Sequence, residues 1–263
     1  MCYDTAQLAY KIYKDAVRLK GSPEEIEYLK DKWKRLREGY PDFHHASGFQ
    51  HPELLVFSKP DGKLDLSRSI WGLIPEWTES EKRAQKLWNN TIIARGESMF
   101  EKPSFREAAM KNRCIIPIDG FFEHFHQSGK TFPYYIERKD KKRMLMGGIK
   151  SSWTNPVSGE VIDSFAIITT KANELMETIH NNPKVPESRM PLLINESDID
   201  TWFEGTKDEV LQLIHPNTSQ ELITKTVKPI RGKQYIGNTP EATEEFEYAE
   251  LTGNSGFGQT SMF

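Results

Sequence analysis

Cys2 stands directly behind Met1, and removal of that methionine would expose a residue carrying a thiol and an α-amine on adjacent carbons. Ordinary pKa values of about 8.5 for the thiol and about 7.7–8.0 for the amine leave both partly deprotonated near neutral pH. The pair is a 1,2-aminothiol. Its amine condenses with an aldehyde to an imine, and its thiol closes onto the same carbon to give a thiazolidine ring, which an internal cysteine cannot do. The plainer alternative is a frayed terminus whose cysteine has no role. Glu123 lies at the end of an apolar run, IIPIDGFFEHFH. Desolvation there raises a carboxyl pKa and suits it to general acid–base work, unless the residue simply sits on the polar face of an alternating strand. His180 closes an apolar helix face of Leu175, Met176 and Ile179 and precedes a proline-containing loop. That position is open to a structural or a catalytic imidazole.

Arg95, Arg106, Arg113 and Arg189 each adjoin an apolar or small-residue segment rather than a charge run. Guanidinium suits bidentate phosphate contacts, although a surface ion pair is the ordinary fate of such a residue. Trp71 and Trp77 could stack a splayed base or be buried. His44, His45, His124 and His126 raise the question of zinc, but without CxxC or HExxH, and with Cys114 isolated, no metal is assigned.

The elements that must position these groups mix two periods. Residues 4–20 place Leu8, Ile12, Ala16 and Leu19 near helical spacing up to Gly21, and Ser22-Pro23-Glu24-Glu25 reads as a capping box opening a helix over about 23–38. Strands are expected at 51–57, 64–74, 113–118, 145–149 and 161–169, with a hairpin of 121–126 and 134–138. Helices are expected at 79–90, at 171–180 capped by Thr170, at 197–203 capped by Ser197, and at 208–214. Strands and helices do not alternate regularly, which predicts an α+β fold.

At 263 residues, with 11% aromatics and six tryptophans, the chain can bury a sizeable core. A formal net charge of −3 excludes a globally basic nucleic-acid protein, so any such binding must use local charge. Two cysteines are too few for a disulfide framework, and there is neither an apolar run long enough to span a membrane nor a secretory signal. These features predict a soluble cytoplasmic protein. Residues 1–235 are expected to form one domain, and 236–263, acidic and then Gly/Ser/Gln-rich, a disordered tail.

Taken in order, Met1-Cys2, WGLIPEW (71–77), ARGES (94–98), FEKPSFR (100–106), RCIIPIDGFFEH (113–124), ITT (168–170), IH (179–180) and RMPLLI (189–194) resemble the SOS-response-associated peptidase (SRAP) family. The resemblance covers about residues 1–205. It implies a single compact α+β domain around a β-barrel-like core with peripheral helices, acting as a monomer with no metal or cofactor. It also implies removal of Met1 by the protein itself and capture of the ring-opened abasic deoxyribose of single-stranded DNA by Cys2. The product would be a thiazolidine crosslink that shields the lesion, with the protein nucleoid-associated when bound. In that scheme Cys2 is the nucleophile, Glu123 the acid–base residue, and His180 acts in sugar ring opening and imine chemistry. Arg95, Arg106 and Arg189 bind phosphate, while Trp71 and Gly72 line the DNA cleft.

Three departures stand out. Ile93 replaces the family's asparagine, eight residues (Asn181 to Ser188) separate His180 from Arg189 where the family has one, and His44-His45-Ala46-Ser47 replaces an Asn-x-Ala-Pro segment. Two other readings remain at this level. One is a non-covalent single-stranded-DNA module. The other is an N-terminal-nucleophile amidohydrolase, for which Tyr3 stands where glycine is usual.

Overall fold

The computed structural model describes residues 3–218 and 221–252, so Cys2 lies outside the described residues. Among the described residues twelve strands follow in chain order: β1 (Asp4–Gln7), β2 (Phe43–Ser47), β3 (Glu53–Ser58), β4 (Asp65–Trp71), β5 (Ile93–Arg95), β6 (Arg113–Ile118), β7 (Gly120–Gln127), β8 (Lys130–Arg138), β9 (Met144–Thr154), β10 (Val161–Lys171), β11 (Arg189–Pro191) and β12 (Leu222–Thr226). The α-helices are α1 (Pro23–Leu36), α2 (Glu81–Trp88), α3 (Arg106–Lys111), α4 (Glu174–Ile179), α5 (Ile199–Glu204), α6 (Lys207–Gln212) and α7 (Ala249–Thr252). None is long and apolar enough to cross a membrane.

Five strands close on themselves. β4 pairs with β3, β3 with β6, β6 with β9 and β9 with β10, all antiparallel, and β10 returns to β4 in parallel. This ring is a β-barrel within an α+β fold, as the family resemblance implies. A second sheet has the order β12-β8-β7-β1-β2 and joins the barrel where β6 runs into β7 at Asp119. Both faces of the barrel strands are buried. Leu55, Phe57, Ile115, Ala166 and Ile168 pack with α1, α5 and α6, while Leu54, Val56, Ile116, Phe165 and Ile167 pack with Phe121, Ile136 and α4. Burial on both sides explains why β6 and β10 read as continuous apolar runs rather than as alternating ones.

α1 begins as its sequence dictates. Ser22 Oγ accepts the Glu25 amide at 3.2 Å, and Glu25 Oε2 accepts the Ser22 amide at 2.8 Å. α4 is capped by Asn173, not Thr170, through its side chain on the Met176 amide at 2.9 Å. The cap position of α5 is Asp198 rather than Ser197.

The helix expected over 4–20 is not formed. Residues 4–7 are instead a fully buried strand between β2 and β7, and only 12–17 turn, as a 3₁₀ helix. Gln7 shows why tertiary structure prevails over local pattern. Its amide donates to the carbonyls of Leu55 and Pro117, each at 2.9 Å, and its Oε1 accepts the Leu55 amide at 2.8 Å, tying β1 to the barrel.

Residues 236–252, read from composition as disordered, are packed and carry short helical turns at Pro240–Thr243 and Ala249–Thr252. Ala242 is buried, and the rings of Phe132, Tyr248 and Phe246 stack edge to face in series. Asn238 Oδ1 accepts the amides of His44 and His45. A few well-placed apolar and amide groups outweigh the acidic average. Residues 253–263 of that tail lie outside the described residues.

Candidate active site

Glu123 and His180 meet beneath an open cleft of about 390 Å³ whose lining includes Tyr3, Glu123, His124, His126, Asn182 and Arg231. Glu123 lies in β7 opposite Tyr134 of β8. On the other side of β7, Asp4 of β1 opposes Phe122, so continuing the register by one residue brings Tyr3 alongside Glu123. The start of β7 admits no side chain at residue 120, because a Cβ on Gly120 would fall 2.3 Å from the Tyr135 ring. Glu123 is 3% exposed, and its Oε1 accepts the His124 amide at 3.0 Å.

His180 is the C-terminal cap of α4, its amide donating to the Met176 carbonyl at 2.7 Å. It is 1% exposed, and its Nδ1 stands 3.9 Å from Glu123 Oε2. That nitrogen also lies 3.0 Å from both the amide nitrogen and the carbonyl oxygen of Arg189. Burial lowers the His180 pKa, and the Glu123 carboxylate opposes the shift only in part. Burial, helped by the Arg231 charge, lowers His124 further, to about 4. Cys114 is wholly buried and its thiol pKa is pushed up, so it offers no competing thiolate.

The eight residues between His180 and Arg189 bulge outward without separating the two. Their neck is closed by the Arg189 amide on His180 Nδ1 and by Ser188 Oγ donating to the His180 carbonyl at 2.7 Å. Asn181 then docks the bulge on β7, its Oδ1 accepting the His126 amide at 2.7 Å and its Nδ2 donating to the His126 carbonyl at 2.9 Å. The inserted Asn182 and Val185 become part of the cleft wall.

Several residues expected at the site stand elsewhere. Trp71 is fully buried, stacked on Phe165 and bonded through Nε1 to the Ile92 carbonyl, so it cannot stack a base. Gly72 is also buried. It adopts φ +129°, and a Cβ there would meet the His51 ring at 2.8 Å, a constraint of packing rather than of a DNA cleft. Arg189 is 3% exposed and its guanidinium is committed inward. Nε donates to Thr169 Oγ1, NH1 reaches Glu187 at 2.8 Å, and NH2 reaches Glu97 at 2.7 Å as well as the Thr169 carbonyl. It cannot present its charge to a phosphate. Arg95 and Arg106 are exposed, and neither makes an ion pair among the described residues. Arg113 is buried, donating to the carbonyls of Ala109, Phe203 and Gly205.

Ile93 packs against the barrel's second apolar cluster. Neither neighbouring asparagine substitutes for an amide there, since Asn89 Oδ1 stands 3.2 Å from His51 Nε2 and Asn90 donates to the Lys86 carbonyl. Of the two histidines in the 44–47 segment, His45 makes a polar contact. Its Nε2 lies 3.1 Å from Asp4 Oδ1 and its Nδ1 lies 2.8 Å from the Tyr235 hydroxyl. Sequence reading missed Arg231 and Asn182 altogether. Neither sits in a recognisable motif, and only the second sheet and the bulge bring them to the cleft. The Tyr3 ring packs at 4.7 Å against Phe49, which is 49% exposed.

The barrel with its flanking sheet and the buried Glu–His pair define the class of protein. Residues 17–232 match the family model described as SOS response associated peptidase (SRAP), and the chain belongs to that family. The abasic site processing protein YoqW of Bacillus subtilis is 34% identical over 183 residues, 68% of this chain and 76% of YoqW. The abasic site processing protein HMCES of Xenopus tropicalis is 27% identical over 245 residues, 80% of this chain and 69% of HMCES. A crystal structure of a protein from Bacteroides thetaiotaomicron superposes with a TM-score of 0.76 at 28% identity, covering 94% of this chain and 100% of that one.

Proposed function

We propose that this protein processes abasic sites in single-stranded DNA by covalent capture at Cys2. Met1 is first removed by hydrolysis of the Met1–Cys2 peptide bond, with Glu123 as the acid–base group. The freed α-amine then attacks the aldehyde of the ring-opened deoxyribose and releases water as the imine forms. The thiol adds to that carbon, its proton passing to the nitrogen, and the thiazolidine closes. His180 assists ring opening from beside Glu123. The product shields the lesion, and no metal or cofactor takes part.

The observation that carries this reading is the Glu123–His180 pair at 3.9 Å, buried next to a cleft that is also lined by Tyr3, the covalent neighbour of Cys2. The names of YoqW and HMCES point the same way. The half-exposed ring of Phe49, packed on Tyr3, supplies the base-stacking surface that buried Trp71 does not. Arg95 and Arg106 contribute exposed positive charge for the strand.

Intact-protein mass spectrometry tests the proposal, before and after incubation with single-stranded DNA carrying one abasic site. The expected result is loss of Met1 and a stable adduct that maps to Cys2 and is abolished by Cys2→Ala, with most DNA binding retained. A processed protein that binds this DNA without an adduct would reduce the function to a non-covalent binding module.

A further inference from the structure

Resting on that reading, we propose that Arg231 is the phosphate-contacting residue of the cleft and that Asp4 aims it. A strand of DNA held at the cleft needs a cation facing it, and the net charge of −3 gives no general attraction. Arg189 is excluded by burial and by its two carboxylates. Among the described residues, Arg231 is the one lysine or arginine in the cleft lining.

Its setting is the reverse of that of Arg189. The Arg231 side chain is 50% exposed, and among the described residues its hydrogen-bond partner is Asp4 Oδ2, through NH2. One guanidinium nitrogen is therefore anchored while the rest of its five-donor fork faces the cleft. The anchor is rigid. Asp4 is 1% exposed, sits in β1 between β2 and β7, and gives its other oxygen to His45, which is in turn held by Tyr235. Ile230, buried against Ala6, Phe122 and Tyr135, fixes the backbone beside Arg231. The half-exposed guanidinium keeps donors beyond its Asp4 contact, and two phosphodiester oxygens can add bidentate bonds on the open side.

The test is equilibrium binding of undamaged single-stranded DNA across a salt series, so that no covalent step enters. Each phosphate contact contributes a slope of about −0.7 to log K against log salt. Arg231→Gln should flatten the slope by about 0.7 and weaken binding about fourfold near 0.15 M salt. Arg231→Lys should retain most of the slope, because it keeps the charge. Asp4→Asn should leave the slope unchanged and tighten binding, because it releases the guanidinium. The two sites thus act with opposite signs, whereas a merely structural latch would weaken binding from either side. The double variant Asp4→Asn/Arg231→Gln removes the burden of an unpaired buried carboxylate, and it should still show the flattened slope. An unchanged slope in Arg231→Gln, or a slope restored in the double variant, overturns the assignment and leaves the covalent reading intact. Failure of the unsubstituted protein to bind single-stranded DNA overturns both.

Discussion

Glu123 and His180 approach to 3.9 Å from elements that have nothing local in common, a central strand of one sheet and the C-terminal cap of a short helix. The carboxylate is fixed by the His124 amide and the imidazole by the Arg189 amide, so each group is oriented before substrate arrives.

Groups that act as a unit respond non-additively to removal. Glu123→Gln should slow both Met1 removal and crosslinking by roughly 10²–10⁴-fold, the usual worth of a positioned acid–base group. His180→Gln should slow crosslinking, and the double variant should be little worse than the poorer single one. Timed mass spectra of the three variants decide the matter. Multiplicative losses would show two independent roles.

Arg189 should behave as a structural residue. Arg189→Gln leaves Glu97 and Glu187 facing each other without their shared cation, but both are partly exposed, so water screens most of the loss. We expect destabilisation of about 1–3 kcal/mol in urea unfolding, in the range of ordinary substitutions, with no change in the salt slope of DNA binding. A flattened slope would restore Arg189 as a phosphate ligand.

Ile93 shows how packing can replace a polar site. Ile93→Asn sets an amide against an apolar cluster and should lower stability by about 1–3 kcal/mol. An unaltered unfolding midpoint would show that the amide finds partners in place, and faster crosslinking in the same variant would identify the cleft as one of them.

The pH dependence of stability has a defined sign. His124 has a folded-state pKa of about 4 against an ordinary 6.5, so as pH falls the unfolded chain takes up this proton first. Stability from this group is complete above pH 6.5 and declines as pH falls towards 4. At 1.36 kcal/mol per pKa unit, the loss is at most about 3 kcal/mol. Unfolding midpoints of the native protein and of His124→Gln should therefore converge between pH 6.5 and 4. Parallel curves would mean that His124 titrates normally.

Cys114 gives a control. Its thiol is wholly buried and its pKa is raised, so Cys114→Ala should leave crosslinking unchanged. It should cost only the stability of a lost core sulfur, about 1 kcal/mol. Any loss of adduct would move the nucleophile away from Cys2.

Legibility in the sequence followed the range of the forces involved. The capping box at Ser22 and Glu25 and the apolar runs of β6 and β10 are local or periodic, and they were readable. Asp4 to Gln7 gives no strand signal because its four residues are small or polar and their stability comes from β2, Leu55 and β7, all remote in sequence. Glu123 and His180 were nameable as candidates, but their contact needs the second sheet to lie beside α4, which no spacing encodes. Trp71 and Arg189 matched motifs, yet burial and two carboxylates decide what each can touch. Arg231 had no local mark at all.

β1 sits between β2 and β7, is laced to the barrel by Gln7 and is tied by Asp4 to Arg231, 227 residues later. Such long-range pairings form late, after the entropy of closing the intervening loops has been met. A chain truncated before Arg231 would therefore lack both the Asp4 contact and an arginine that lines the cleft. On the proposed mechanism, reactivity towards aldehydes would then depend on contacts between the two ends of the described fold.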